Sequence, residues 1–97
     1  MSRIRVKATM YDLYNMGIDW FESHRVHDKD NNYGTRFVLD KQLTNNQLDT
    51  INSYKNVIIS ECYYRYAPEI KHTTIILMDK CIKKFVKNTW QDIQKDV

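Results

Sequence analysis

The stretch Val57–Asp79, VIISECYYRYAPEIKHTTIILMD, constrains this chain more than any other: two apolar-rich segments flank a turn that holds Pro68, the single proline of the sequence. Val, Ile, Thr and Tyr favour extended backbone, and proline is tolerated in a sheet only at an edge, a bulge or a strand end, so the pattern predicts a hairpin. Strand side chains alternate between faces. Ile58, Ser60, Cys62, Tyr64 and Tyr66 therefore share one face, and Val57, Ile59, Glu61, Tyr63 and Arg65 share the other. Two registers are open. A three-residue loop pairs Tyr66 with Ile70 and brings Ile76 and Met78 onto the first face; a four-residue loop pairs Tyr66 with Lys71 and brings Ile75 and Leu77 there instead.

The other segments carry comparable signals. Residues 3–10 alternate strictly, Ile4, Val6, Ala8 and Met10 against Arg3, Arg5, Lys7 and Thr9, which predicts a strand with one apolar and one basic face. Thr9 can then cap a short helical turn through Asp12, with Leu13 and Tyr14 facing inward and Gly17 in the left-handed position that ends many helices. Ile18–Val26 and Thr35–Lys41 are β-rich segments around the turn-forming loop HDKDNNYG. Thr44 and Gln47 form a T-x-x-Q capping box, and Leu43 and Leu48 a hydrophobic staple, so a helix starts at Asn45. Leu48, Ile51 and Tyr54 or Lys55 face inward, and Asn56 is its expected stop. Asp79 is expected to cap a last helix, along which Ile82, Phe85, Val86, Thr89, Trp90, Ile93 and Val97 fall at helical spacing. Trp20 and Trp90, each in an apolar pattern, are expected in the core.

The resulting order is β-α-β-β-α-β-β-α, whose first six elements follow the ferredoxin-like βαββαβ pattern. It predicts an α+β fold with a mostly antiparallel sheet of four or five strands and the two longer helices on one face. At 97 residues the chain fits a single domain, 1–97, able to bury roughly 60 to 65% of its unfolded surface. Apolar residues make up 42% and charged residues 28%, with a net charge of +3, values ordinary for a soluble protein and too small in charge to imply a nucleic-acid partner unless clustered. The N-terminal alternation is unlike the unbroken apolar core of a signal peptide, and the longest apolar run, Ile75–Met78, is far short of a membrane span of about 20 residues. Cys62 and Cys81 are expected to be thiols in a reducing compartment, so the expected location is the cytoplasm. Abundant Ile, Asn, Lys and Tyr with only 2 Gly and 1 Pro follow AT-rich codon usage. In composition the chain resembles the accessory proteins of phages and mobile elements in low-GC bacteria, a resemblance that assigns no residue.

Candidate chemistry is sparse. His24, His27, Asp28 and Asp30 have metal-ligand side chains, but on a strand His24 and His27 point to opposite faces. Asp28, Asp30 and Asn32 match the first ligand positions of an EF-hand loop, but Tyr33 stands where its glycine belongs and Leu39 where its bidentate Glu belongs. His72-Thr73-Thr74 is half of a two-histidine phosphoesterase motif without a second half. Cys62 lies on an expected inward face, and Cys81 in the first turn of the last helix, where the dipole and nearby lysines would activate a thiol. The expectation is a non-enzymatic protein with no cofactor and no metal.

Cationic surface is the stronger signal. Lys80, Lys83, Lys84 and Lys87 crowd the expected N-terminal half of the last helix, where the dipole opposes them by a few tenths to about 1 kcal/mol each near the first turn. Arg3, Arg5 and Lys7 form a ladder that a covering helix could not bury cheaply. Tyr63, Arg65 and Tyr33 could interleave aromatic rings with these charges, an arrangement suited to protein hot spots and to single-stranded nucleic acid. The leading expectation is a small intracellular regulator or inhibitor that docks Arg3, Arg5, Lys7, Tyr63, Arg65, Lys80, Lys83, Lys84 and Lys87 on a larger host protein or nucleoprotein complex. The alternative is an RNA- or single-stranded-DNA-binding domain using a basic and aromatic sheet face. A homodimer through an exposed edge, Arg3–Thr9 or Thr73–Met78, is also compatible with the pattern.

Overall fold

The computed structural model describes residues 7–64, 67–82 and 94–95. Its elements are α1 (Met10–Asn15), β1 (Trp20–His27), β2 (Tyr33–Leu39), α2 (Asn45–Ile51), β3 (Val57–Tyr64), β4 (Ala67–Met78) and β5 (Gln94–Lys95). Four long strands form an antiparallel sheet in the order β3-β4-β2-β1, and the two residues of β5 pair outside β1 with Val26 and His27. The fold is α+β. The ferredoxin-like order is not seen among the described residues, since every pairing is antiparallel and the expected first strand does not run through residues 7–10. No helix among the described residues is long and apolar enough to cross a membrane.

Local chemistry explains that first correction. Thr9 accepts a hydrogen bond at its hydroxyl from the Asp12 N–H (3.2 Å), and Asp12 Oδ2 accepts one from the Thr9 N–H (2.6 Å). This capping box starts a helix at Met10 and overrides the period-2 alternation, leaving Lys7, Ala8 and Thr9 irregular. Residues 3–6 of the expected strand lie outside the described residues. Leu13 is fully buried, but Tyr14 is 70% exposed rather than inward, because a helix of six residues has room for little more than one inward position. Gly17 closes the turn at φ +74°, as expected. The second capping box, Thr44 with Gln47, starts α2 at Asn45, and Gln47 also donates to the Met16 carbonyl at 3.2 Å, tying α2 to the end of α1.

Strand alternation sorts the core into two faces. On one, Phe37, Leu39, Ile75 and Leu77 pack with Ala8, Leu13, Ile18 and Ile51, so α1 and α2 cover the same side; Trp20 joins them with its ring 4.5 Å from that of Phe37. On the other, Val26, Ile58, Ile76 and Met78 cluster with Ile82 against them. Fully buried side chains such as Phe37 contribute about 3 to 5 kcal/mol against truncation to alanine. At Gly34, opposite Met78, an added Cβ would lie 2.8 Å from the Leu77 carbonyl oxygen and from Met78 Sδ. Glycine there is what lets β2 and β4 close up.

The β3–β4 register places Val57 opposite Leu77 and Tyr63 opposite Lys71, then slips so that Tyr64 faces Ala67. Neither anticipated loop occurs: Lys71 is taken by Tyr63, and Tyr66 lies outside the described residues. The slip leaves Pro68, Glu69 and Ile70 as a bulge, which suits a residue with no N–H to give the ladder. Ile76 and Met78 nonetheless share the face of Ile58, because the register keeps even parity. β2 pairs with β4 only over Thr74–Met78, so Glu61–Tyr63 and Lys71–Thr73 project as a two-stranded ribbon, with Phe21 against His72 at 5.4 Å between ring centres. The edge expected along Thr73–Met78 is therefore interior from Thr74 onward, with β3 on one side and β2 on the other.

The end of the chain also departs from expectation. Lys80, Cys81 and Ile82 are irregular, and Gln94–Lys95 is extended, so a helix does not run from Asp79 through 95. Its expected apolar stripe at Phe85, Val86, Thr89, Trp90, Ile93 and Val97 lies outside the described residues. Asp79 is not a helix cap. Its carboxylate is held by Arg25, a stronger partner than an exposed backbone amide.

Asn56, expected only as a helix stop, has a larger role: α2 ends at Ile51, and Asn56 is fully buried. Its Oδ1 accepts from the Ala8 N–H (2.7 Å), while its Nδ2 donates to the Ala8 carbonyl (3.1 Å) and the Met78 carbonyl (2.8 Å). Its own carbonyl accepts from the Met78 N–H at 2.7 Å. Replacing Asn56 by Ala strands buried polar groups of Ala8 and Met78, and a buried group without a partner costs about 1 to 3 kcal/mol. Asn56→Ala is expected to lower unfolding free energy by about 3 kcal/mol in urea titrations; a loss below about 1 kcal/mol would show that the clamp is dispensable.

Candidate functional site

The clamp fixes one end of the sheet, and charged and aromatic side chains collect there. Arg25 and His27 lie on one face of β1, directly opposite Thr35 and Tyr33 of β2. Arg25 Nη1 donates to Asp79 Oδ1 (3.0 Å) and to the Thr35 hydroxyl (3.2 Å), and its Nη2 to Asp79 Oδ2. The guanidinium also sits 5.8 Å from the centre of the Tyr33 ring, and the His27 ring lies 5.5 Å from it on a tilted approach. The Asp79 N–H donates to the Tyr33 carbonyl at 2.8 Å, so Asp79 is anchored by backbone as well as side chain. Hydrogen bonding to Arg25 holds the Asp79 carboxyl below its ordinary range against some desolvation, with the charges of Arg25 and Lys7 adding to the effect.

Lys7 and Lys80 flank this pair, both exposed. With Asp79 matched by Arg25, the two lysines leave the end of the sheet cationic, around a half-exposed Tyr33. Tyr63 is elsewhere. It is 65% exposed on the projecting ribbon opposite Lys71, eight residues along β4 from Asp79 and hence roughly 25 Å away at about 3.3 Å per residue. The structure thus brings together Lys7 and Lys80, with Tyr33, and separates Tyr63 from them. Arg3, Arg5, Arg65, Lys83, Lys84 and Lys87 lie outside the described residues. The sequence analysis missed Arg25, His27 and Asp79 as members of this cluster. The signal available was the shared parity of Arg25 and His27 on β1 against Thr35 and Tyr33 on β2.

The candidate chemical groups are engaged in structure. Asp28 is buried, and its Oδ1 accepts from the N–H groups of Asp30 and Asn32 (2.9 Å each) while Oδ2 accepts from Asn32 Nδ2 (3.1 Å). Asn31 supplies the left-handed residue, φ 61°, that this tight loop needs. The aspartate thus does the work of a turn, with its carboxylate spent on donors of the loop. Burial alone would raise the Asp28 pKa, but the hydrogen bonds from Asn32 and Asp30, with the charge of His27, bring it below the ordinary value. His24 faces away from His27 and pairs with Glu22, Nε2 to Oε1 2.6 Å; no group of three His, Cys, Asp or Glu side chains among the described residues could hold a metal ion.

In the H-x-T segment, Thr74 is fully buried and its hydroxyl donates to the Ser60 carbonyl (3.3 Å), while His72 stands opposite Cys62. Burial pushes the Cys62 thiol up, offset only in part by Arg36, which is the wrong direction for a nucleophile. Cys81 is exposed but sits in an irregular segment, so the helix-dipole activation expected for it does not apply.

The two depressed carboxyls give a pH signature. A carboxyl whose folded pKa lies below its unfolded value of about 3.9 contributes stability above that value, and the contribution is lost as pH falls through the folded pKa. Asp28→Asn is expected to cost about 1 to 3 kcal/mol at pH 7 and to flatten the fall in stability below about pH 4, measured as urea midpoints from pH 7 to 2.5. Parallel curves for the two proteins would contradict this account of Asp28. No protein-family model matches the chain, and no curated protein or solved structure matches it either.

Proposed function

We propose that this chain is a non-enzymatic binding module that docks on a larger protein or nucleoprotein complex, as a small regulator or inhibitor of the kind its composition resembles. The observation that carries the reading is the fixed cluster at the clamped end of the sheet: Arg25 locked on Asp79 beneath Tyr33 and His27, with Lys7 and Lys80 exposed beside it. A guanidinium already paired and an aromatic ring already packed lose little side-chain entropy on docking, which is the economy seen at protein hot spots. The excess positive charge favours an acidic partner surface and speeds encounter with it. The engaged carboxylate of Asp28 and hydroxyl of Thr74, and the thiol of Cys62 pushed up by burial, support binding over catalysis.

A second reading draws on the same geometry. Tyr33, His27 and Arg25 make a stacking platform beside two lysines, and bases of single-stranded RNA or DNA stack on such platforms. The two readings separate on salt and on nuclease. Tagged protein is expected to retain a protein partner after nuclease treatment of a host lysate, and the variant combining Lys7→Glu, Lys80→Glu and Tyr33→Ala is expected to lose at least tenfold of that capture while its unfolding free energy in urea titrations stays within about 1 kcal/mol of wild type. Capture unaffected by the triple change would remove this surface. Loss of capture with nuclease, with affinity falling by about 0.7 to 0.9 log units per log unit of salt for each phosphate contacted, would establish the nucleic-acid reading instead.

A further inference from the structure

Independently of the docking surface at the clamped end, we infer that β3 is a self-association edge, pairing antiparallel with β3 of a second copy about a two-fold axis at Ser60. Among the described residues β3 has no neighbour on its outer side. Exposed edges in monomeric proteins are blunted by Lys, Pro, bulges or short length. Val57–Tyr63 has none of these: it is seven residues of unbroken register, VIISECY, with Glu61 as its one charge. Lys71 on the neighbouring strand already answers that charge, Nζ to Oε2 2.5 Å.

The backbone selects the register. Ser60 receives the Thr74 hydroxyl at its carbonyl, so that carbonyl points toward β4. In antiparallel strands the N–H and C=O of successive residues point to opposite sides. The outward groups of β3 therefore belong to Val57, Ile59, Glu61 and Tyr63. A two-fold axis at Ser60 makes Ser60 a non-hydrogen-bonded pair with the partner's Ser60, sets Ile59 against the partner's Glu61 and Val57 against the partner's Tyr63, and forms on the order of eight ladder hydrogen bonds. Shifting the axis to Glu61 would oppose two like charges directly, and shifting it to Ile59 would leave Tyr63 unpaired. In the Ser60 register the ring of Tyr63, 65% exposed, instead covers Val57 and Ile59 of the other copy, both only partly buried at the rim of the core. The product is a continuous eight-stranded antiparallel sheet built from the four long strands of each copy.

Cross-linking reads the register directly. In a non-hydrogen-bonded pair the Cα atoms lie about 4.5 Å apart, within the range a disulfide spans. In a Cys62→Ser, Cys81→Ser background, Ser60→Cys is expected to form a covalent dimer under mild oxidation at least tenfold faster than Glu61→Cys, whose nearest counterpart is two positions off register. Sedimentation of the uncross-linked wild type is expected to show a concentration-dependent dimer, weakened at least tenfold by Tyr63→Ala. A wild type that stays monomeric to millimolar concentration overturns the inference. So does equal cross-linking of the two cysteine variants, or faster cross-linking at position 61.

Discussion

The buried carboxamide of Asn56 ties the segment around Ala8 to the end of the β3–β4 pair, where the backbones of Asn56 and Met78 already meet. It presents one acceptor and two donor hydrogens to a site with the Ala8 N–H, the Ala8 carbonyl and the Met78 carbonyl, and satisfies all three. Bulk water does not reach these groups, because Asn56 and Ala8 are both buried. Through this one side chain the irregular segment Lys7–Thr9 is registered against the end of β4, and the helix that follows delivers Leu13 to Phe37 and Ile51 in the core. The same bonds fix where Asp79 emerges from β4, and so where Arg25 finds its partner.

The polar end of the sheet is an extension of that clamp. Met78 is held between Gly34 of β2 and the backbone of Asn56, and the close approach at Gly34 leaves no room for a side chain. Asp79 follows with its N–H on the Tyr33 carbonyl and its carboxylate on Arg25. Each group in this chain of contacts restrains the next, so Tyr33, His27 and the two lysines stand on a rigid frame. The projecting ribbon at the opposite end is built differently: it is two strands wide, and its exposed Tyr63 and Ile70 lie beyond the reach of β2. One molecule thus offers two unlike surfaces, a cationic aromatic one at the clamp and a strand edge along β3 whose one charge is Glu61.

Much of this was legible in the sequence where the signal was local. Both helix starts follow from their capping boxes, Gly17 from its place after a short helix, and the strands of both hairpins from β-branched and aromatic runs. Signals that depend on distant partners were not legible. Asn56 looks like a helix stop because nothing nearby reveals that Ala8 and Met78 will surround it, whereas the strand-like alternation of residues 3–10 gives way at Thr9 to a local signal, the box with Asp12. Asp79 has the sequence position of a cap, but Arg25, 54 positions earlier, claims its carboxylate. The hairpin register escaped for a similar reason, since a bulge at Pro68 is one of several ways to absorb a residue without an N–H. The candidate site was half visible: Lys7, Lys80 and Tyr33 were singled out, whereas Arg25 and His27 acquire meaning only once β1 and β2 are paired.

Native-state hydrogen exchange at the Ala8 amide tests the central role of Asn56 most directly. Ala8 belongs to no helix or strand, so its N–H would ordinarily exchange through small local openings. With its donor held by a buried carboxamide that also grips Met78, it is predicted to exchange only with global unfolding, at the same free energy as the Met78 amide and with the same dependence on denaturant. Exchange of Ala8 several kcal/mol below the global value, with little denaturant dependence, would mean that the N-terminal segment opens on its own and that the clamp does not govern the fold.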